Sequence, residues 1–149
     1  NDWVADERFA IAGASMGGMT ALGAMARYPH LHSVACLAGS GYFMQLSQTL
    51  FPPLVAHTPE QKAALQARLA PLAAYDPCQQ LAQLANRPLL LWHGEADVVV
   101  PFAETVRLEK ALREAQLDSR LTFLAEKQIG HKITPPALTA LVSFFKHHL

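Results

Sequence analysis

The sequence predicts an α/β fold with a mainly parallel sheet of about four strands and flanking helices. Two observations carry this. Short apolar runs of strand size alternate along the chain with longer segments of helical pattern. That alternation marks strands joined by helical crossovers. The longest run, Pro88-Leu89-Leu90-Leu91-Trp92, is also continuously apolar, as expected of a strand covered on both faces. At 149 residues the chain is one domain's worth, residues 1–149, with room for a sizeable core.

The elements follow in order. Residues 1–8 are polar apart from Trp3 and Val4 and read as a helix tail and turn. Residues 9–12 (Phe9, Ala10, Ile11, Ala12) are a short buried strand. Residues 16–28 form a helix whose Ala21, Gly23, Ala24 and Ala26 permit close approach to a sheet, and Pro29 stops it. Residues 33–38 are the second strand, ended by Gly39-Ser40-Gly41. Residues 42–54 are apolar but irregular. Two helix starts follow. Thr58-Pro59-Glu60-Gln61 has the pattern of a capping box, and Asp76-Pro77-Cys78-Gln79 repeats its logic. Residues 42–87 therefore read as a helical, cap-like insertion. Residues 88–93 are the third strand. A helix over about 101–115 turns Phe102, Val106 and Leu112 inward. Residues 121–124 are the fourth strand. A last helix, capped near Thr134 and opened by Pro135 and Pro136, buries Leu138, Leu141, Val142 and Phe145.

Charge excludes some classes of function. The formal net charge is zero and no basic run occurs, so neither nucleic acid nor a membrane surface is an expected partner. No apolar stretch is long enough to span a bilayer. Cys36 and Cys78 have neither metal nor redox spacing. They read as reduced, partly buried thiols of a cytoplasmic protein, with a disulfide as the alternative. No cofactor or metal is expected. His30, His32 and His57 sit in no motif, and His147 and His148 end the last helix, where a cation suits the dipole. The chain opens on Asn1, so its natural start is expected elsewhere.

One stretch carries chemistry: Phe9-Ala10-Ile11-Ala12-Gly13-Ala14-Ser15-Met16-Gly17-Gly18. A strand runs into Gly-x-Ser-x-Gly and a helix follows, which is the pattern of a nucleophilic serine on a sharp, strained turn. The turn is expected to be too tight for side chains two residues either side of the serine, hence Gly13 and Gly17. The helix that follows aims its first N–H groups where an oxyanion would form. A serine hydroxyl needs a base, and the base an orienting acid. In open parallel sheets function sits beyond the carboxyl ends of the strands. That rule selects Ser15, the loop Gly94-Glu95-Ala96-Asp97, and the loop Gln128-Ile129-Gly130-His131. Asp97 is favoured over Glu95 as the acid, and His131 is the candidate base. His93, at a strand end, reads as structural. Residues 42–54, with Tyr42, Phe43 and Phe51, read either as an acyl-pocket wall or as plain packing.

Ala12-Gly13-Ala14-Ser15-Met16-Gly17-Gly18, His93-Gly94-Glu95-Ala96-Asp97 with Val100-Pro101, and Gly130-His131 together resemble the α/β-hydrolase superfamily. The resemblance covers the whole chain. It is nearest to the dienelactone-hydrolase and prolyl-oligopeptidase-related bacterial carboxylesterases of the YjfP type. It implies Ser15 as nucleophile, His131 as general base, Asp97 as orienting acid and the Met16 backbone N–H as an oxyanion donor. It implies hydrolysis of small-acyl esters without a cofactor. Dienelactone hydrolases proper carry Cys where Ser15 stands.

The short lead-in to Ser15 departs from that pattern. By resemblance the strands are the fifth to eighth of the family sheet, its C-terminal half. The first half would supply a second oxyanion N–H and a neighbour for residues 9–12. Those residues are then expected at an apolar edge, a pairing hazard, covered by a second copy of the chain or by a missing N-terminal portion. A non-catalytic interaction or folding module, and an acyltransferase or thioesterase using the same three residues, are the alternative functions.

Overall fold

The structure, a computed structural model, describes residues 8–50 and 57–149, without the side chains of residues 47–50. Among them, four strands form one sheet in the order β1 (Phe9–Ala14), β2 (Leu31–Leu37), β3 (Leu89–Gly94), β4 (Leu121–Glu126). All three pairings are parallel. The helices are α1 (Met16–Arg27), α2 (Phe43–Leu50), α3 (Pro59–Leu69), α4 (Leu81–Leu84), α5 (Phe102–Glu114) and α6 (Pro135–His148).

The central strands explain the apolar runs. Every residue of β3 is buried, and all of β2 but His32. Side chains alternate between faces. Val34, Cys36, Leu89 and Leu91 face one way and pack with Leu22 and Met25 of α1 and Leu108 and Leu112 of α5. Leu37 and Trp92 meet Ala137 on the opposite face, and Ala35 and Leu90 meet Phe144, both from α6. Helices thus cover both faces, and a polar group there has no water to turn to: Ser33 Oγ in β2 is buried without a hydrogen-bond partner among the described residues.

Helix α1 lies close because its residues are small. A Cβ on Gly18 would come within 2.9 Å of Cys36 Sγ, and one on Gly23 within 2.8 Å of the Tyr75 carbonyl. Between β2 and β3 lie α2, α3, the 3-10 turns Ala70–Tyr75 and Pro77–Gln79, and α4. Thr58 forms the expected capping box with Gln61, and Thr134 caps α6 above Pro135 and Pro136. Asp76 does not repeat the capping logic. Its side chain makes no cap bond to the turn it precedes; it instead accepts the Phe43 N–H at 3.1 Å and ties the start of α2 to the chain 33 residues on.

Three helical and strand faces differ from expectation. On α5 the buried positions are Thr105, Leu108 and Leu112, while Val106 is exposed. Thr105 displaces the apolar candidate because its hydroxyl has buried partners in His93 and the Gly39 carbonyl. On α6 Ala137 and Phe144 point inward, whereas Leu138 and Val142 are about half exposed. The small Ala137 permits contact with Trp92, which sets the helix's rotation. Strand β1 is not buried: it pairs only with β2 among the described residues, and Phe9 and Ile11 are exposed. Burial pushes the Cys36 thiol up to about 12 and Cys78 to about 11, so both are protonated, and both are free.

Candidate active site

The parallel sheet brings the carboxyl ends of β1, β3 and β4 to one edge. Ser15 stands between β1 and α1 with φ 55° and ψ −123°. A residue with a Cβ held there stores about 1–3 kcal/mol of strain. Two backbone bonds hold it: Ser15 N–H donates to the Leu37 carbonyl at 2.8 Å, and Met19 N–H donates to the Ser15 carbonyl at 3.1 Å. Gly13 is sterically required, since a Cβ there would fall 2.1 Å from the Gly17 carbonyl oxygen. Gly17 is not: a Cβ on it meets nothing within 4 Å. The turn is tight on one side only. Met16 opens α1, so its N–H belongs to the first turn, whose amides have no partner within the helix.

Asp97 follows β3 in a turn it helps to make. Its Oδ1 accepts the N–H groups of Val99 and Val100 at 2.9 and 3.0 Å. Its Oδ2 accepts His131 Nδ1–H at 2.7 Å. Glu95, the competing acid, is exposed. His131 follows β4, and the two loops interlock. Glu95 N–H donates to the Glu126 carbonyl and Ala96 N–H to the Ile129 carbonyl, each at 2.9 Å. The approach is close enough that a Cβ on Gly94 would lie 2.3 Å from the Ile129 oxygen. Glu126 braces the same loop through its Oε1, which accepts Trp92 Nε1–H at 2.9 Å and Thr134 Oγ1–H at 2.7 Å.

His131 Nε2 lies 2.9 Å from Ser15 Oγ. Ser15, His131 and Asp97 therefore form one continuous hydrogen-bonded chain across three loops. An ionised carboxylate only accepts, so it fixes the proton on Nδ1 and leaves the Nε2 lone pair towards the serine hydroxyl. Burial pushes the Asp97 carboxyl up. The bonds from His131, Val99 and Val100 outweigh it and hold the group below its ordinary value.

His93, read as structural in the sequence, touches this chain. It is fully buried, and its Nε2 lies 3.1 Å from Asp97 Oδ2 and 2.9 Å from the Val100 carbonyl. The signal was the four-residue spacing to Asp97 across the Gly94 turn. Of the candidate pocket residues, Tyr42 is buried in the main core with the Arg107 guanidinium 3.6 Å over its ring. Phe43 instead lines a cavity of about 380 Å³ with Met16, Met19, Leu72 and Tyr75. Phe51 lies outside the described residues. No cluster of metal-ligating side chains occurs among the described residues, and no described helix is long and apolar enough to cross a membrane.

Comparison with known proteins places this architecture. The sequence model of the prolyl oligopeptidase family matches residues 1–149. The chain belongs to that family. The chain is 48% identical over 148 residues to Esterase YjfP of Escherichia coli (strain K12), covering 99% of this chain and 59% of that protein. It is 31% identical over 149 residues to YitV of Bacillus subtilis (strain 168), covering 95% of this chain and 58% of that one. Among solved structures, TT1662 from Thermus thermophilus superposes with a TM-score of 0.69 at 29% identity, over 93% of this chain and 53% of that one. This member of the prolyl oligopeptidase family thus has an α/β-hydrolase fold and spans a little over half the length of the curated relatives it matches.

Proposed function

We propose that this chain carries the reactive centre of a serine hydrolase that cleaves small-acyl carboxylic esters through a Ser15–His131–Asp97 triad and an acyl-enzyme. The unbroken hydrogen-bond chain from Ser15 Oγ through His131 to Asp97 Oδ2 supports the reading most directly. The likeness to a protein named an esterase supports the substrate class.

The steps follow from the geometry. Ser15 Oγ attacks the ester carbonyl carbon as its proton passes to His131 Nε2. The new oxyanion is stabilised by the Met16 N–H at the start of α1. The intermediate collapses by breaking the C–O bond to the alcohol, and His131 returns the proton to that leaving oxygen. Water, deprotonated by His131, then attacks the acyl-enzyme. The C–Oγ bond breaks as His131 Nε2 returns that proton to Ser15 Oγ, releasing the acid and restoring Ser15. Asp97 keeps His131 in the working tautomer and stabilises its cationic form. Phe43 and the cavity beside Met16 receive the acyl group. A thioester would follow the same path, and an acyltransferase would substitute an alcohol for water.

A second oxyanion donor would come from a segment paired beside β1, and lack of one costs about 10² to 10³ in rate. We propose further that the β1 edge of this chain pairs with a second copy, and that in a longer protein it takes a strand of that protein. The protonated, unpaired thiols fit the reducing cytoplasm.

The test is covalent labelling of Ser15 by a fluorophosphonate, alongside hydrolysis of p-nitrophenyl acetate. Wild-type chain is expected to be labelled and to turn over ester, and Ser15→Ala to do neither. Equal ester hydrolysis by the two would eliminate the mechanism and leave a non-catalytic module.

A further inference from the structure

We propose that His93 is a positioning residue for this centre: by sharing its Nε2–H between the Val100 carbonyl and Asp97 Oδ2 it fixes the turn and the carboxylate that in turn holds His131. The inference rests on the Ser15–His131–Asp97 reading above.

The two groups near Nε2 are Asp97 Oδ2 at 3.1 Å and the Val100 carbonyl at 2.9 Å. Both only accept, so Nε2 carries the hydrogen. Nδ1 then holds the lone pair and takes the Thr105 hydroxyl hydrogen along the shorter, 2.6 Å contact, with the Gly39 carbonyl at 3.2 Å as that hydrogen's weaker second acceptor. Thr105 is itself buried on α5, so the ring is gripped at both nitrogens. The Phe102 ring packs edge-on at 5.9 Å and closes a further side. Burial drives the His93 proton affinity down, against the pull of the Val100 carbonyl and Asp97, which suits a neutral ring with one committed hydrogen.

Asp97 consequently has four donors. Val99 and Val100 N–H serve Oδ1, and His131 and His93 serve Oδ2. The first two come from Asp97's own turn, and His131 is the group being positioned. Only His93 ties the carboxylate to the rigid strand β3. A buried carboxylate with its lone pairs filled in this way cannot rotate about its last bond. Its direction passes to the imidazole through the 2.7 Å contact. Without His93, the Oδ2 side of Asp97 answers to His131 alone, and a misdirected imidazole loses its aim at Ser15 Oγ.

The ring nitrogens can be tested separately. An asparagine amide reaches the Nδ1 position and a glutamine amide the Nε2 position. His93→Asn keeps the Thr105 contact and deserts Asp97, whereas His93→Gln restores a donor to it. His93→Asn is expected to lower kcat for p-nitrophenyl acetate by about ten- to a hundredfold with KM within about twofold. His93→Gln is expected to recover to within about threefold of wild type. The low-field proton resonance of His131 Nδ1–H is expected to move in His93→Asn and return in His93→Gln. Circular dichroism confirms folding. Should either variant fail to fold, Thr105→Val, which removes the hydroxyl that grips Nδ1 and also reaches the Gly39 carbonyl, is expected to displace the same resonance. A wild-type resonance together with wild-type fluorophosphonate labelling in His93→Asn, or in Thr105→Val when it stands in, overturns the positioning role and leaves the triad reading intact. Absence of labelling in the wild-type chain overturns the triad reading instead. The resonance then decides whether His93 orders Asp97 and His131, and an unmoved one ends the inference.

Discussion

Ser15 has a backbone that no ordinary helix start would require, and His93 has a proton affinity that no exposed histidine would show. Both belong to residues whose surroundings over-determine them. For His93 the consequence is a pH dependence of stability. Burial, opposed by the Val100 carbonyl and Asp97, holds its folded value below the ordinary 6.5. Below pH 6.5 the unfolded chain therefore binds a proton that the folded chain refuses. The contribution is complete above 6.5 and is lost as pH falls below it. Asp97 acts lower on the scale: its folded value lies under the ordinary 3.8, so its contribution is present above 3.8 and lost as pH falls through the folded value. His148 is lowered in the same direction as His93. His93→Gln is thus expected to flatten, but not abolish, the decline in urea midpoint between pH 7 and 5. An unchanged slope would mean that the unfolded and folded chains bind the His93 proton alike. Much at this scale was legible. Gly-x-Ser-x-Gly after a strand, the acid after the third strand and the histidine after the fourth are local signals with known chemistry. The His93 contact was hidden because the letters show spacing, while the ring's direction depends on Thr105 from a helix that begins nine residues beyond His93.

The elements place those residues by interlocking at their ends. Strand β4 ends at Glu126 and helix α6 begins at its cap Thr134, with His131 in the span between them. Glu126 Oε1 accepts one hydrogen from Trp92 in β3 and another from Thr134, so one oxygen ties both ends of the His131 loop to the sheet. Trp92 is 1% exposed, and its indole N–H has no water to turn to. Glu126→Gln keeps the accepting oxygen and is expected to be mild. Glu126→Leu strands the buried donor and is expected to cost about 1–3 kcal/mol more than Glu126→Gln in unfolding free energy. It is also expected to slow fluorophosphonate labelling of Ser15. Denaturant titration and labelling rates measure the two effects, and equal behaviour of the two variants would reject the brace. At this scale sequence periodicity was a partial guide. It located α1, α5 and α6 but read the residues of α2 as irregular, and on α5 and α6 it placed Leu112, Leu141 and Phe145 on packed faces while wrongly turning Val106, Leu138 and Val142 inward. Large apolar letters were assumed to face the core, whereas Thr105 won its place by hydrogen bonding and Ala137 by its small size.

At the scale of the whole molecule, the alternation of strands and helices announced a parallel sheet, and the sheet is parallel throughout. The strand order was less legible. It depends on which crossovers pass over which face, and no local pattern records that. The order β1-β2-β3-β4 leaves the strand that carries Ser15 at one margin. Phe9 is 51% exposed and Ile11 36%, on a strand whose outward amides and carbonyls lack a ladder partner among the described residues. Parallel strands are normally covered on both faces and paired on both sides, and an apolar free edge promotes association. The likenesses to YjfP and YitV reach only 59% and 58% of their lengths, so such proteins have further chain with which to pair this strand. A second copy is the partner proposed above for this edge when the chain is studied alone. Light scattering is therefore expected to return a dimer mass, and hydrogen exchange to show slow outward amides in β1. Ile11→Lys, which puts a charge on the half-exposed edge, is expected to give a monomer with an unchanged helical signature and faster β1 exchange. A monomeric wild-type chain with rapidly exchanging β1 amides would overturn the edge pairing. It would also make the Ser15 strand the least protected of the four, and labelling of Ser15 would then fall with denaturant before the core cluster around Leu89 and Leu91 unfolds.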